Sequence, residues 1–205
     1  MKKVAILLGL ALGWAQTGYS ADASRGESLS APCAACHGAD GNSAAPSFPK
    51  LAGQGEKYLV KQLRDIRDGA RPIPTMAGQL DGKSDEDLAD IAAFYAAQAR
   101  SYGQADPELL ALGEQVYRSG ILERNVAACT ACHSPHGAGN APAGFPALAG
   151  QHAEYTAAQL RAYRQGYEDP AGRTNDGDTR IMRTTAFGLS DLEIEAVASY
   201  VAGLK

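Results

Sequence analysis

The chain has 205 residues, which at about 150 residues per domain corresponds to one or two domains. Its 45% apolar and 20% charged content excludes a disordered or collagen-like chain, and its net charge of −4 does not favour a nucleic-acid partner, which needs a basic surface. Aromatic residues make up only 7% of the chain, so large aromatic side chains supply little of any core.

The first 21 residues have the layout of a secretory signal peptide. Lys2 and Lys3 precede about 12 uncharged residues, too few for a membrane-spanning helix, which needs roughly 20. Small residues come next, and the candidate cleavage sites follow Ser20, Ala21 and Ala23. We therefore predict an exported, soluble mature protein, with a retained N-terminal anchor as the alternative.

An internal repeat divides the remaining chain into two halves. The motif Cys-x-x-Cys-His occurs at 33–37 and again at 129–133, and each copy is followed by Phe-Pro-x-Leu-Ala-Gly-Gln. Further along, Met76 corresponds to Met182, once an insertion in the second half is allowed for. The repeat predicts a duplicated domain, with the first domain at 22–100, a linker at 101–105 and the second domain at 106–205.

Both halves are predicted to be helical. Apolar residues at helical spacing predict a helix over 56–68, and Ser84 with Asp87 forms a capping box that begins another. The second half repeats this box at Ser190, and Asp106-Pro107 is expected to open its first helix, since proline is tolerated at the first helical position. No segment shows the alternation of a strand, so the predicted fold class is all-α.

The repeated Cys-x-x-Cys-His motif is the attachment signature of c-type haem. Its two thiols lie one turn apart and reach the two vinyl groups of the macrocycle, and the histidine that follows is then held under the iron. Long loops rich in glycine and proline follow each motif, and such loops are uncommon unless a ligand organises them. We therefore predict two covalently bound haem c groups, attached through Cys33, Cys36 and His37 and through Cys129, Cys132 and His133.

Three other uses of the four cysteines are open at this point. A four-cysteine zinc site prefers pairs about 15–20 residues apart, whereas 92 residues separate Cys36 from Cys129. A thioredoxin-type redox pair needs a βαβ setting. Two disulfides, common in exported proteins, leave the repeated histidine unexplained.

Methionine is the predicted second axial ligand of each iron. Apart from Met1, each half has one methionine, Met76 and Met182, at the same position in the repeat. A His/Met pair fills both axial positions and raises the reduction potential. His136 and His152 are expected to be exposed surface residues, with replacement of Met182 by His136 as the alternative.

Two prolines, Pro49 and Pro146, are candidates for orienting the histidines that follow the cysteines. Their backbone carbonyls can accept a hydrogen bond from the other ring nitrogen of His37 and His133, which fixes the orientation of a metal-bound histidine. A simple kink in the loop is the alternative.

Taken together, these motifs resemble those of the dihaem cytochrome c4 family over nearly all of the predicted mature chain. The resemblance rests on Cys-Ala-Ala-Cys-His-Gly-Ala-Asp-Gly-Asn, Phe-Pro-Lys-Leu-Ala-Gly-Gln and Tyr-Leu-Val-Lys-Gln-Leu, with their counterparts in the second half. It implies two tandem class-I cytochrome c domains, the ligand sets His37/Met76 and His133/Met182, and a periplasmic electron carrier that feeds a terminal oxidase. The segment 169–179 before Met182 departs from the pattern.

Electron transfer rather than catalysis is therefore the expected function. The implied partners are membrane respiratory complexes as donor and acceptor, with peripheral membrane association as an option. Alternatives are the electron-accepting subunit of a dehydrogenase, similar to flavocytochrome c sulfide dehydrogenase, and a dihaem enzyme such as a peroxidase or thiosulfate dehydrogenase. The scarcity of aromatic residues further predicts that neither half folds stably without its haem, because each is small for a self-sufficient core.

Overall fold

The computed structural model describes residues 19–205; most of the predicted signal peptide, residues 1–18, lies outside them. Regular structure in the described part is helical, and strand-like pairing there is limited to two isolated bridges, so the all-α prediction is confirmed. None of its helices is long and apolar enough to cross a membrane. The α-helices are α1 (Ala23–Leu29), α2 (Ala34–His37), α3 (Glu56–Arg67), α4 (Asp85–Ala96), α5 (Leu110–Ser119), α6 (Thr130–His133), α7 (Ala153–Glu168), α8 (Ile181–Phe187) and α9 (Asp191–Gly203).

In each half the first helix crosses the last long one at a glycine. A Cβ added at Gly26 on α1 would lie 1.9 Å from the backbone oxygen of Asp90 on α4, and one at Gly113 on α5 would lie 2.3 Å from that of Ala196 on α9. No side chain fits at such a distance, so only glycine permits these crossings. The same crossing in both halves agrees with the duplication seen in the sequence.

The two halves differ in the size of their buried apolar clusters. The first half has five buried residues in its cluster: Leu59, Ile91, Ala92, Phe94 and Tyr95. The second half has twelve: Val116, Tyr117, Val126, Ala149, Ala157, Leu189, Ile194, Val197, Ala198, Tyr200, Val201 and Leu204. The first half therefore has less protein core of its own with which to fold.

The helix boundaries agree with the sequence-based prediction at the capping boxes and differ at α5. Ser84 and Ser190 each form the predicted reciprocal box at the start of α4 and α9. The prediction that Asp106-Pro107 opens the next helix is wrong, because α5 begins at Leu110. The Asp106 carboxylate instead accepts the backbone N–H of Glu108 at 2.9 Å, and such a side-chain bond holds the chain in a turn.

The insertion in the second half lengthens one helix and adds a loop. The helix α7 has 16 residues where its counterpart α3 has 12. Gly166, which corresponds in the repeat to Gly69 just after α3, lies inside α7. Its missing side chain admits the backbone of Arg173, because an added Cβ would lie 2.3 Å from the Arg173 oxygen. The insertion is therefore folded back onto α7.

Substituting Glu193 by glutamine is expected to lower the free energy of unfolding by about 1 kcal/mol at neutral pH. Bonding to Arg124, opposed by burial and assisted by the Ser190 cap, lowers the pKa of Glu193 from 4.5 to about 2. Because the folded-state pKa lies below the unfolded one, this stabilisation is present above about pH 4.5 and is lost as pH falls towards 2. Denaturant titration of the haem-loaded protein at several pH values measures it.

The matched control is Glu195→Gln on the same helix, whose carboxylate pairs with Arg161 at an exposed position. Exposed pairs contribute little, so this variant should lose less stability. A Glu193→Gln loss that persists undiminished at pH 2 would contradict the assignment.

Candidate haem sites

A continuous cavity of about 1650 Å³ is lined by residues of both halves. It exceeds the volume of about 300–1,000 Å³ that is typical of a pocket for one drug-sized ligand. Its walls carry all eight residues predicted from the sequence: Cys33, Cys36, His37, Met76, Cys129, Cys132, His133 and Met182. The structure thus brings both predicted residue sets to one cavity.

The two Cys-x-x-Cys-His motifs adopt the same local structure. Each ends in a one-turn helix, α2 or α6, whose last residue is the buried histidine. The chain then reverses through a left-handed residue, Gly38 with φ of 79° in the first half and Ser134 with φ of 69° in the second. This turn sends the following loop back across the histidine ring.

The loop that returns from each motif orients the histidine. Nδ1 of His37 lies 2.9 Å from the carbonyl oxygen of Pro49, and Nδ1 of His133 lies 2.8 Å from that of Pro146. A carbonyl oxygen only accepts hydrogen bonds, so Nδ1 carries the proton and Nε2 is left free to bind a metal. The prediction that these carbonyls orient the histidines is therefore confirmed.

Burial favours the ligating form of both histidines. The exposed fraction is 8% for His37 and 6% for His133, and this burial lowers the pKa of both rings, opposed in part by the proline carbonyls. The neutral imidazole is the form that binds a metal. Phe48 and Phe145 contact the two rings edge-on, with centroids 6.3 Å apart in both halves, so the ring setting is duplicated as well.

The two methionines reach the cavity from different local structures. Met76 ends a short 3-10 turn, Pro74–Met76, whereas Met182 lies in the first turn of α8. Both side chains are half-buried and both line the cavity. The insertion before Met182 therefore changes the backbone that carries this residue but does not remove it from the cavity wall.

The remaining two histidines have different surroundings. His136 is exposed, as predicted, and its Nδ1 lies 3.2 Å from the backbone oxygen of Lys205. The prediction for His152 is wrong: this residue is half-buried, and its Nε2 lies 2.9 Å from the backbone oxygen of Ser43 in the other half. The first half has no histidine at the corresponding position of the repeat. The sequence therefore carries no signal that His152 lies at the junction of the halves.

Two buried arginines on the cavity wall were not singled out by the sequence. Arg71 is 6% and Arg173 is 8% exposed, and within residues 19–205 neither forms an ion pair with a carboxylate. Their hydrogen-bond partners are neutral groups of both halves, namely Gln62, Tyr155 and Gln159 for Arg71 and Gln62, Gln159 and Asn175 for Arg173. Burying a cation without an opposite charge costs several kcal/mol, so the site is built for an anionic ligand.

The same positive charge acts on a neighbouring phenol. Burial would raise the pKa of Tyr58, but the charges of Arg173 and Arg71 outweigh it and lower this pKa. Each haem carries two carboxylates, and these two arginines are the residues that would hold haem carboxylates at the junction of the halves. The cavity, the free Nε2 atoms and the paired cations together fit the predicted group.

A sequence signal for this polar cluster existed but was incomplete. Tyr58 and Gln62 recur in the second half as Tyr155 and Gln159, four residues apart on one face of α3 and of α7. The arginines have no such register, because Arg71 follows α3 closely whereas Arg173 lies in the insertion. Repeat analysis alone therefore missed the charged members.

The alternative uses of the cysteines find no support in this geometry. All four thiols are unpaired, which contradicts two disulfides. Among residues 19–205 no group of three or more His, Cys, Asp or Glu side chains is arranged to hold a metal ion, as a zinc site would require. Axial ligation by one histidine and one methionine per iron needs no such group.

Comparison with known proteins gives consistent matches. The family model for cytochrome c matches residues 23–97 and 110–205. Cytochrome c4 of Pseudomonas aeruginosa is 53% identical over 205 residues, covering 100% of both chains. The crystal structure of reduced recombinant cytochrome c4 from Pseudomonas stutzeri matches with a TM-score of 0.87 at 52% identity, covering 91% of this chain and 100% of that one. The thiosulfate dehydrogenase electron acceptor of Stutzerimonas stutzeri (strain A1501) is 41% identical over 182 residues, covering 84% of this chain and 78% of that protein.

Proposed function

The chain belongs to the cytochrome c4 family of dihaem electron-transfer proteins, and from that membership we propose that it is a periplasmic carrier that delivers electrons towards a terminal oxidase. Haem c supplies a one-electron iron couple when it is bound. The signal-peptide pattern of the first 21 residues supports export. Donor and acceptor in this proposal are respiratory complexes of the membrane.

The observation that carries the proposal is the duplicated set of axial residues on one cavity. His37 and Met76 in the first half, and His133 and Met182 in the second, would fill both axial positions of each iron. A site with both positions filled has no place for a substrate at the metal, which favours electron transfer over catalysis. The role of the protein is then to hold the ligands, exclude water and fix the reduction potentials.

Substituting Met76 by alanine is expected to open one iron to external ligands. In the reduced protein, carbon monoxide should then bind to one of the two haems, and the reduction potential of that haem should fall because methionine ligation raises it. The measurement is optical titration with carbon monoxide together with haem quantification in alkaline pyridine, which should give two haems per chain.

Two further variants control this experiment. Met182→Ala should open the second iron in the same way, and His136→Ala should leave the optical spectrum unchanged, because His136 is exposed and bonded to the C-terminal backbone. A spectral change in His136→Ala, with none in Met182→Ala, would identify His136 as the ligand and refute the proposed set.

Delivery to a terminal oxidase is tested with membrane vesicles. The reduced protein should be reoxidised by vesicles that contain an active terminal oxidase, and inhibiting that oxidase should stop the reaction.

Export is tested separately, by sequencing the N-terminus of the protein from the periplasmic fraction. A start at residue 21, 22 or 24 is expected. Retention in the membrane with an intact N-terminus would overturn the periplasmic part.

A second candidate function is acceptance of electrons from a dehydrogenase. It is favoured by the similarity to a protein described as a thiosulfate dehydrogenase electron acceptor. Co-purification with a dehydrogenase, and reduction by that enzyme with its substrate, would support this role. Isolation as a free protein that exchanges electrons only with membrane complexes would favour the carrier.

A further inference from the structure

Two glutamines at the junction of the halves form a reciprocal pair of contacts. Gln54 extends into the second half, where its Oε1 accepts the backbone N–H of Ala147 at 2.7 Å and its Nε2 donates to the Ala147 carbonyl at 3.0 Å. Gln151 extends into the first half and makes the same two bonds to Lys50, at 3.0 and 2.8 Å. The amide orientations are fixed because a backbone N–H only donates and a carbonyl only accepts.

The residues held by the glutamines are those that directly follow the histidine-orienting prolines. The peptide group between Pro49 and Lys50 accepts from His37 Nδ1 at its oxygen and donates to Gln151 at its nitrogen. The matching peptide of the second half connects His133 to Gln54. One planar peptide therefore separates each axial histidine from a side chain of the opposite half.

Such a chain of hydrogen bonds acts on the histidine electronically. The peptide C–N bond has partial double-bond character, so an acceptor at the N–H increases the negative charge on the carbonyl oxygen. Hydrogen bonds in series strengthen one another by about 10–30% per bond. A stronger acceptor at Nδ1–H raises the basicity of the ligating histidine, and this is one way in which a protein adjusts a haem potential.

We propose that Gln151 and Gln54 are positioning residues that set the ligand strength of the axial histidine in the opposite half, Gln151 for His37 and Gln54 for His133. The inference rests on the proposed His37 and His133 ligation. It makes the junction between the halves part of both redox sites. Each haem potential then depends on the docking of the other half.

The test compares Gln151→Leu with Gln54→Leu in the haem-loaded full chain. Gln151→Leu should raise the potential of the haem attached at Cys33 and Cys36, shifting its redox equilibrium by up to about tenfold, or about 59 mV for one electron, and should leave the other haem nearly unchanged. Gln54→Leu should do the converse. Haem-methyl NMR signals followed through a redox titration report each site separately.

A second readout is independent of the potentials. In ¹⁵N-labelled reduced protein, the Nδ1–H of His37 should exchange faster with solvent and resonate further upfield in Gln151→Leu, with no change at His133.

If Gln151→Leu is unstable, Gln151→Glu is the substitute. It keeps an acceptor at the Lys50 N–H and adds negative charge, so the potential of the first haem should fall more than that of the second.

The control is His152→Ala, which removes the bond to the Ser43 oxygen but leaves both glutamine contacts in place. It should shift neither histidine signal selectively. Shifts confined to the half that carries the substituted glutamine, equal shifts in both halves, or none would overturn the proposal. If the unmodified protein lacks two His/Met-ligated haems, the proposed function fails; if it has them and the crossed shift is absent, only this inference fails.

Discussion

Replacing Cys33 and Cys36 together by alanine is expected to unfold the first half of the chain while the second half stays folded. Without its covalent haem, nothing fills the cavity around which the first half is packed. Its own apolar cluster has only five buried residues. The decrease in the free energy of unfolding of the first half should exceed the roughly 5 kcal/mol by which a small domain is stable. Amide hydrogen exchange, read helix by helix, should show α3 and α4 unprotected and α7 and α9 protected.

The corresponding variant of the second half provides the comparison. Cys129→Ala with Cys132→Ala leaves a cluster of twelve buried residues, so α5 and α9 should keep partial protection. Haem quantification must give one haem per chain in each double variant, which excludes non-covalent retention. The dependence on the cofactor would be refuted if the first half lost its haem and still unfolded cooperatively at the same temperature as in the haem-loaded protein.

Sequence alone was sufficient where a local rule or the repeat determined the structure. The capping boxes at Ser84 and Ser190 depend on two side chains and the adjacent backbone, so both helix starts were predictable. The orientation of His37 by Pro49 was one of two interpretations, because the sequence places Pro49 in the loop after the motif but does not show where its carbonyl points. The fold class and the cofactor followed from motifs that occur twice in register.

Features that depend on contacts between the halves were not predictable in this way. His152 and Arg173 have no counterpart in the first half, and each has a partner more than 100 residues away in the chain, Ser43 for His152 and Gln62 for Arg173. The role of Gln54 was hidden for a different reason: the residue is repeated, but nothing in a repeat indicates that a side chain contacts the opposite copy. Helix α5 starts late because one side-chain bond at Asp106 competes with the helix.

Substituting Arg173 by methionine, which has a similar length and no charge, is expected to lower the haem potentials. Removing a buried cation from the wall of the haem cavity would favour the ferric state, which carries the additional positive charge. A unit charge at about 10 Å and an effective dielectric constant of about 20 contributes about 1.7 kcal/mol, slightly more than a tenfold change in the redox equilibrium, for which one electron corresponds to about 59 mV. Potentiometric titration at fixed ionic strength measures the shift.

The cluster geometry indicates that both haems respond to this substitution. Arg173 donates to Gln62 of the first half and to Gln159 of the second, and Arg71 bonds Gln62 and Gln159 as well, so the two cations share partners at the junction. Arg118→Met is the control, because Arg118 is exposed and pairs with Glu114, and its shift should be small owing to solvent screening. Unchanged or raised potentials in Arg173→Met would show that the buried cations do not act on the haems, and the anionic ligand of this cluster would then have to be sought outside the macrocycle.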